Sequence, residues 1–165
     1  MNCHAELDPL DAASLLSDAE KATRDAVAAA VDSDLLPLAA PAFAAGEMPD
    51  AAVQALAQMG AFGAALKTHG CPGWSAVQTG LLMQELERCD SGFRSCASVQ
   101  SSLVMWPIAT FGSDAQKDRL LPRLRSGEAL GAFALTEPSS GSDPASMQTR
   151  ARRDGAGYVL TGHKR

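Results

Sequence analysis

Apolar positions recur at spacings of three and four over most of the first 127 residues, a period that predicts helices. Ser17 and Glu20 stand in capping-box spacing ahead of an Ala-rich stretch, so a first helix is expected to run to about Asp32. Pro37 and Pro41 should limit its continuation, because proline lacks the N–H and clashes with the preceding turn. Pro49 suits the first turn of a second helix, with Val53, Leu56 and Met59 or Gly60 on one face and Gly60 and Gly63 closing it. After the Gly- and Pro-rich loop "KTHGCPGWS", a third helix spans about Ser75 to Arg88. Val77, Leu81, Leu82, Leu86 and Cys89 form its stripe, and Glu85, Glu87 and Arg88 are expected to face water or a neighbouring helix. A fourth begins near Ser91 and should kink or end at Pro107, leaving the piece after Trp106 as a separate turn. Ser113 and Gln116 repeat the capping box before a fifth, whose apolar face is Leu120, Leu121 and Leu124.

The period changes near residue 128. "ALGAFALTE", apolar and set between Gly127 and Pro138, reads as a strand. "MQTRARRD" alternates, "GYVLTGHKR" opens another strand, and Asp154-Gly155 with Gly157 signals a hairpin between them. The expected organisation is a disordered N-terminus over 1–13, a helical domain over 14–127 and the start of a β domain over 128–165. So short a β segment cannot bury enough apolar surface to stand alone, so the chain reads as a complete helical domain followed by a severed β domain. The fold class is mainly α.

Composition narrows the function. Hydrophobic residues at 46% and charged residues at 20% fit a soluble globular chain, and a net charge of −5 argues against nucleic acid or an anionic membrane as partner. A local group of Arg and amides can still hold a small anion. Cys3, Cys71, Cys89 and Cys96 lack Cys-x-x-Cys spacing and read as free thiols; His4, His69 and His163 are too scattered for a metal site. No secretory signal is visible and no run approaches the ~20 apolar residues of a span, which makes the cytoplasm the default location.

Two places could carry chemistry. Arg94 stands four residues before Ser98, so on a helix the two share a face, and an Arg fork beside a hydroxyl can grip a carboxylate. On spacing alone the pair reads first as a solvated surface Arg with a packing Ser. The loop from Thr136 to Ser142 sets Thr, Ser and Gly around consecutive amide donors, which suits a pyrophosphate as well as an ordinary turn. No Gly-Lys-Ser/Thr follows it, and no Gly-x-Gly-x-x-Gly occurs. Glu137, beside Pro138, reads as a structural acceptor rather than a general base.

"ALTEPSSGSDPASMQTRA" followed by "GYVLTGHK" resembles the opening of the middle β domain of flavin-dependent acyl-CoA dehydrogenases. "LERCDSGFRSCASVQSSLVMWPI" and "FGSDAQKDRLLPRLRSGEALGAFALTEP" resemble the glutaryl-CoA dehydrogenase branch, and the likeness covers roughly residues 14–165. The resemblance implies an N-terminal helical domain, a middle β domain and a C-terminal bundle, with FAD as cofactor. It assigns flavin contact to Phe133, Ala134, Leu135, Thr136, Glu137, Pro138, Ser139, Ser140, Gly141 and Ser142. Main-chain groups of Leu135 and Thr136 would address the ring, and Ser142 the pyrophosphate and the CoA pantetheine. Arg94, Ser95 and Ser98 match the positions that recognise the distal carboxylate of glutaryl-CoA.

The implied reaction removes the α-proton, passes the β-hydride to the flavin and releases CO2 to give crotonyl-CoA. Electrons would leave to an electron-transfer flavoprotein, and the full-length form would be a homotetramer. The family's catalytic glutamate and a flavin-packing Trp-Ile-Thr segment would lie beyond Arg165, so the chain reads as an N-terminal fragment without turnover of its own. Trp106 replaces a His of that branch, and His163 and Arg165 stand where small polar residues are usual. Neither Glu137 nor His163 takes a catalytic role. The rival readings are a non-catalytic helical interaction module and a sister acyl-CoA dehydrogenase with a different acyl substrate.

Overall fold

The computed structural model describes Asp8 and residues 11–165. Cys3, His4 and most of the N-terminal stretch expected to be disordered lie outside the described residues. The chain divides into two compact units, one ending at Gly131 and one formed by Ala132–Arg165. The result is mainly helical with one small two-stranded sheet.

In the helical unit, a short 3-10 turn, Ala12–Leu15, precedes α1 (Asp18–Ala30), which opens on the Ser17–Glu20 capping box. The run does not end near Asp32. It passes through a π-helical turn, Val31–Leu35, into α2 (Leu36–Ala45), with Pro37 and Pro41 inside. The Leu36 N–H reaches back to the Val31 carbonyl, five residues away instead of four. That widened turn relieves the clash a proline ring makes with the carbonyl four residues earlier, so Pro37 no longer stops the helix. α3 is Asp50–Gln58, α4 is Ala76–Cys89 and α5 is Ser91–Ser98.

The same device recurs at the second proline. A π-helical turn over Val99–Met105 carries α5 into α6 (Trp106–Phe111), so Pro107 neither kinks off nor detaches the last turn. In both runs the π segment ends two residues before the proline. α7 (Asp114–Arg125) starts on the expected Ser113–Gln116 box.

The core joins Val31, Leu35, Leu56, Phe62, Leu82, Leu86, Phe93, Met105 and Leu121, all essentially inaccessible. Full burial of a Leu or Phe side chain contributes about 1.5–3 kcal/mol each, so these residues define the unit. Glu85 is buried at 1% exposure rather than solvated, with Arg88 Nε 2.8 Å from its Oε2. Arg88 also reaches Asp32 Oδ1 at 2.7 Å, tying α4 to the π turn between α1 and α2.

By length and composition the 28-residue run Asp18–Ala45, with an 18-residue window of mean hydropathy 1.3, is apolar enough to cross a membrane, contrary to the expectation that no run would approach that length. Its second half is joined on only because the π turn admits Pro37. Val27, Val31, Leu35 and Ala42 belong to the core and Asp32 pairs with Arg88.

In the second unit, β1 (Arg150–Asp154) pairs antiparallel with β2 (Gly157–Thr161), Asp154 opposite Gly157. Gly155, at φ 59°, takes the first central position of the two-residue turn, which requires positive φ of the II′ type. The strand expected over 129–137 does not form. An apolar run becomes a strand only when a ladder pairs it, and residues 132–136 have no partner strand among the described residues. The one bridge nearby closes Glu137 on Ser140.

Candidate functional site

The first candidate group sits where α4 passes into α5. Asp90 breaks the helix and caps the next one, its Oδ1 accepting the amides of Gly92 at 2.7 Å and Phe93 at 3.2 Å. Arg94 follows one turn later, about a third exposed, and its Nε donates to Glu87 Oε2 on α4. Ser91 Oγ donates to the other Glu87 oxygen at 2.6 Å. The Ser91 hydroxyl, and then Arg94, hold the Glu87 carboxyl below the usual carboxylate range. The guanidinium is thus anchored by one edge, while its Nη donors bond to nothing among the described residues. Ser98 Oγ donates to the Ser95 carbonyl at 3.1 Å, and the Ser95 hydroxyl has no partner among the described residues. Arg94, Ser95 and Ser98 therefore share a helical stretch, as their spacing indicates, and Glu87 is an addition.

Trp106 is half exposed, its ring edge-on to Phe111 with centroids 5.9 Å apart.

The second group is the segment from Phe133 to Ser142. Glu137 is its structural centre: its carboxylate accepts from Gln148 N at 2.7 Å, Thr149 N at 2.9 Å and Thr149 Oγ1 at 2.5 Å, with Lys164 Nζ 3.1 Å away. The Thr149 hydroxyl and the two amides, with Lys164, hold its pKa down to about 2. A carboxyl whose proton affinity is lowered this far is a weak base. Its neighbours are also tied: Lys164 Nζ donates to Leu135 O at 2.8 Å and the Arg165 amide to Thr136 O at 2.9 Å. Glu137 and Ser140 exchange both backbone bonds, and Ser140 Oγ donates to Asp143 O at 2.6 Å.

Those bonds leave a specific set unspent. The amides of Leu135, Thr136, Ser139, Gly141 and Ser142, and the hydroxyls of Ser139 and Ser142, donate to nothing among the described residues. A Cβ built on Gly141 would meet no atom within 4 Å, so the backbone there is open to a ligand. Phe133, at 51% exposure, and Ala134 present an apolar surface directly before these donors. Apolar surface followed by amides and hydroxyls is the donor set that an aromatic ring carrying a phosphate chain requires, so the segment fits FAD chemically. Gln148, Thr149 and Lys164 were not legible as supports from sequence, since a threonine amide and a terminal lysine carry no pattern.

Residues 17–128 match the family described as acyl-CoA dehydrogenase, N-terminal domain. A crystal structure of glutaryl-CoA dehydrogenase from Mycobacterium smegmatis is 47% identical, covers 94% of this chain and superposes with a TM-score of 0.88. A second structure of a glutaryl-CoA dehydrogenase from that organism, in complex with FADH2, is 44% identical over 92% of the chain, again with a TM-score of 0.88. Mitochondrial isovaleryl-CoA dehydrogenase from Pongo abelii is 31% identical over 98% of the chain. The chain spans only 41%, 39% and 39% of those proteins' lengths, respectively.

Proposed function

The chain belongs to the acyl-CoA dehydrogenase family, and on that premise we propose that it supplies the carboxylate-recognising and flavin-holding portions of an FAD-dependent dehydrogenase acting on glutaryl-CoA. The observation that carries the substrate reading is the Arg94 guanidinium, fixed through Nε to Glu87 with its Nη donors unspent. A terminal carboxylate completes that fork bidentately, and the Ser95 and Ser98 hydroxyls stand within the same helical stretch to accept or share the load. An alkyl-ended acyl chain offers the fork nothing, and enclosing an incompletely bonded guanidinium beside it costs free energy.

The second unit's part is to bind and orient. Leu135 and Thr136 amides address the flavin edge, and the Ser139, Gly141 and Ser142 donors take the pyrophosphate. When bound, FAD supplies the hydride acceptor. Glu137 positions this segment and moves no proton. The α-proton is assigned to no group among the described residues. In this reading electrons pass onward to an electron-transfer flavoprotein and the whole enzyme assembles as a tetramer.

The test is retention of flavin. The purified chain is incubated with FAD, desalted and read by visible flavin absorbance. Co-eluting flavin, lost on Ser142→Pro, supports the reading; colourless protein overturns the claim that these donors hold FAD.

A further inference from the structure

Gln100 is a buried amide, 1% exposed, in the π-helical turn Val99–Met105. Its Nε2 donates to two carbonyls, Leu124 O and Ala129 O, both at 2.9 Å. Its Oε1 accepts from the Gly131 amide at 2.9 Å. Leu124 belongs to the last turn of α7, and its carbonyl otherwise takes only a long bond from the Gly127 amide at 3.4 Å. One side chain therefore ties the end of that helix to the residues that follow it, using three of the four hydrogen bonds an amide can make.

A second contact reaches the same point from another side. A Cβ on Gly131 would stand 2.3 Å from Val104 Cγ1 and 2.8 Å from its Cγ2. Val104 lies four residues after Gln100 in the same π turn, so one wide turn of helix both bonds the Gly131 backbone and presses on it. π turns of this kind are uncommon and concentrate at functional sites. This one begins directly after Ser98, and the residue it grips is the last before Ala132 and the Phe133–Ser142 segment.

We propose that Gln100 is a positioning residue: with Val104 against Gly131, it fixes the point where the chain leaves the helical unit and so pre-orders the backbone entering the flavin-holding segment. The proposal rests on the reading of that segment as an FAD site. Its physical basis is preorganisation: an exit held by three hydrogen bonds is not re-ordered when the ligand binds. An apolar side chain of equal size cannot replace it, because Ala129 O and the Gly131 amide would lose their partner and Leu124 O its shorter one.

The experiment uses the full chain and two independent routes. Gln100→Met removes the bonds. Gly131→Ala displaces the same backbone against Val104, and Gly131→Ala with Val104→Ala removes the two closest atoms, leaving Val104 Cβ 3.0 Å away. Leu35→Ala serves as a structural control, since Leu35 is a fully buried core residue on the first π turn, far from the exit in sequence. Amide exchange by mass spectrometry and FAD titration are read on each, below its thermal transition. The expected result is faster exchange over residues 131–136 and about tenfold weaker FAD for Gln100→Met and Gly131→Ala, as loss of preorganisation predicts. The double variant should recover most of both, and Leu35→Ala should move neither. Exchange and FAD affinity unchanged in Gly131→Ala, or changed equally in Leu35→Ala, would overturn the proposal. If wild type takes up no FAD, the flavin reading fails, while the exchange data still decide whether Gln100 orders the exit.

Discussion

Arg94 and Glu87 stand on consecutive helices, either side of the Asp90 break, and are joined through Nε of the arginine alone. That geometry makes Glu87 a strut and leaves the rest of the fork available. Arg94→Ala should therefore weaken glutaryl-CoA binding to flavin-loaded protein by about 1.5–3 kcal/mol, the worth of a hydrogen bond to a charged group, and leave butyryl-CoA nearly untouched. Isothermal titration with both ligands checks it, and equal losses would remove the carboxylate role. Arg94→Lys should recover charge without the planar fork and fall between the two.

Glu137 makes the second unit sensitive to acid. Its carboxyl titrates at about 2 against an ordinary 4.5, so the folded state binds its proton less readily than the unfolded one. The stabilisation is whole above 4.5 and is lost as the pH falls toward 2. A carbon-detected NMR titration of the Glu137 carboxyl should give the low midpoint. The Thr149 hydroxyl is the largest cause and Lys164 the smallest, so Thr149→Val should raise that midpoint more than Lys164→Met. The reverse order would mean that the ion pair, not the hydroxyl, holds the proton off.

Arg88 is the bridge between α4 and the first π turn, a fifth exposed while its partner Glu85 is at 1%. Arg88→Met removes the bonds to Glu85 and Asp32 at once, so it should destabilise the helical unit by about 1.5–3 kcal/mol, the worth of a hydrogen bond to a charged group. Urea midpoints decide it; a variant as stable as the wild type would show that neither bond contributes.

What was legible in the sequence followed from local rules. Ser17–Glu20 and Ser113–Gln116 both form their boxes, and Arg94 shares its helical stretch with Ser98 as the spacing requires. Pro37 and Pro107 misled as stop signals because the rule assumes a four-residue hydrogen bond, and a five-residue one evades the clash. The apolar run before Pro138 carried strand composition, but a strand is made by its partner and the described residues hold none for it. Glu87 and Gln100 were invisible as site residues for a related reason: each acts on a group brought near by a turn, across Asp90 or across α7, and no periodicity encodes that.

The capping boxes themselves are not equivalent, and the difference is measurable. In α7, Gln116 serves only its own helix, accepting from Ser113 N at 2.8 Å. In α4, Gln78 accepts from Ser75 N at 3.0 Å and also donates to Thr23 Oγ1 on α1 at 2.7 Å. Thr23 in turn donates to Ala19 O, so the α4 cap is wired into the α1 backbone. Gln116→Ala should cost no more than the ~1 kcal/mol typical of a helix cap. Gln78→Ala should cost that plus about 0.5–1.5 kcal/mol for the interhelical bond. Thr23→Val, which removes the hydroxyl as acceptor for Gln78 and as donor to Ala19 O, should abolish the difference between the two glutamine variants in urea unfolding. If the difference persists, it arises within α4 alone and the bond to α1 contributes nothing.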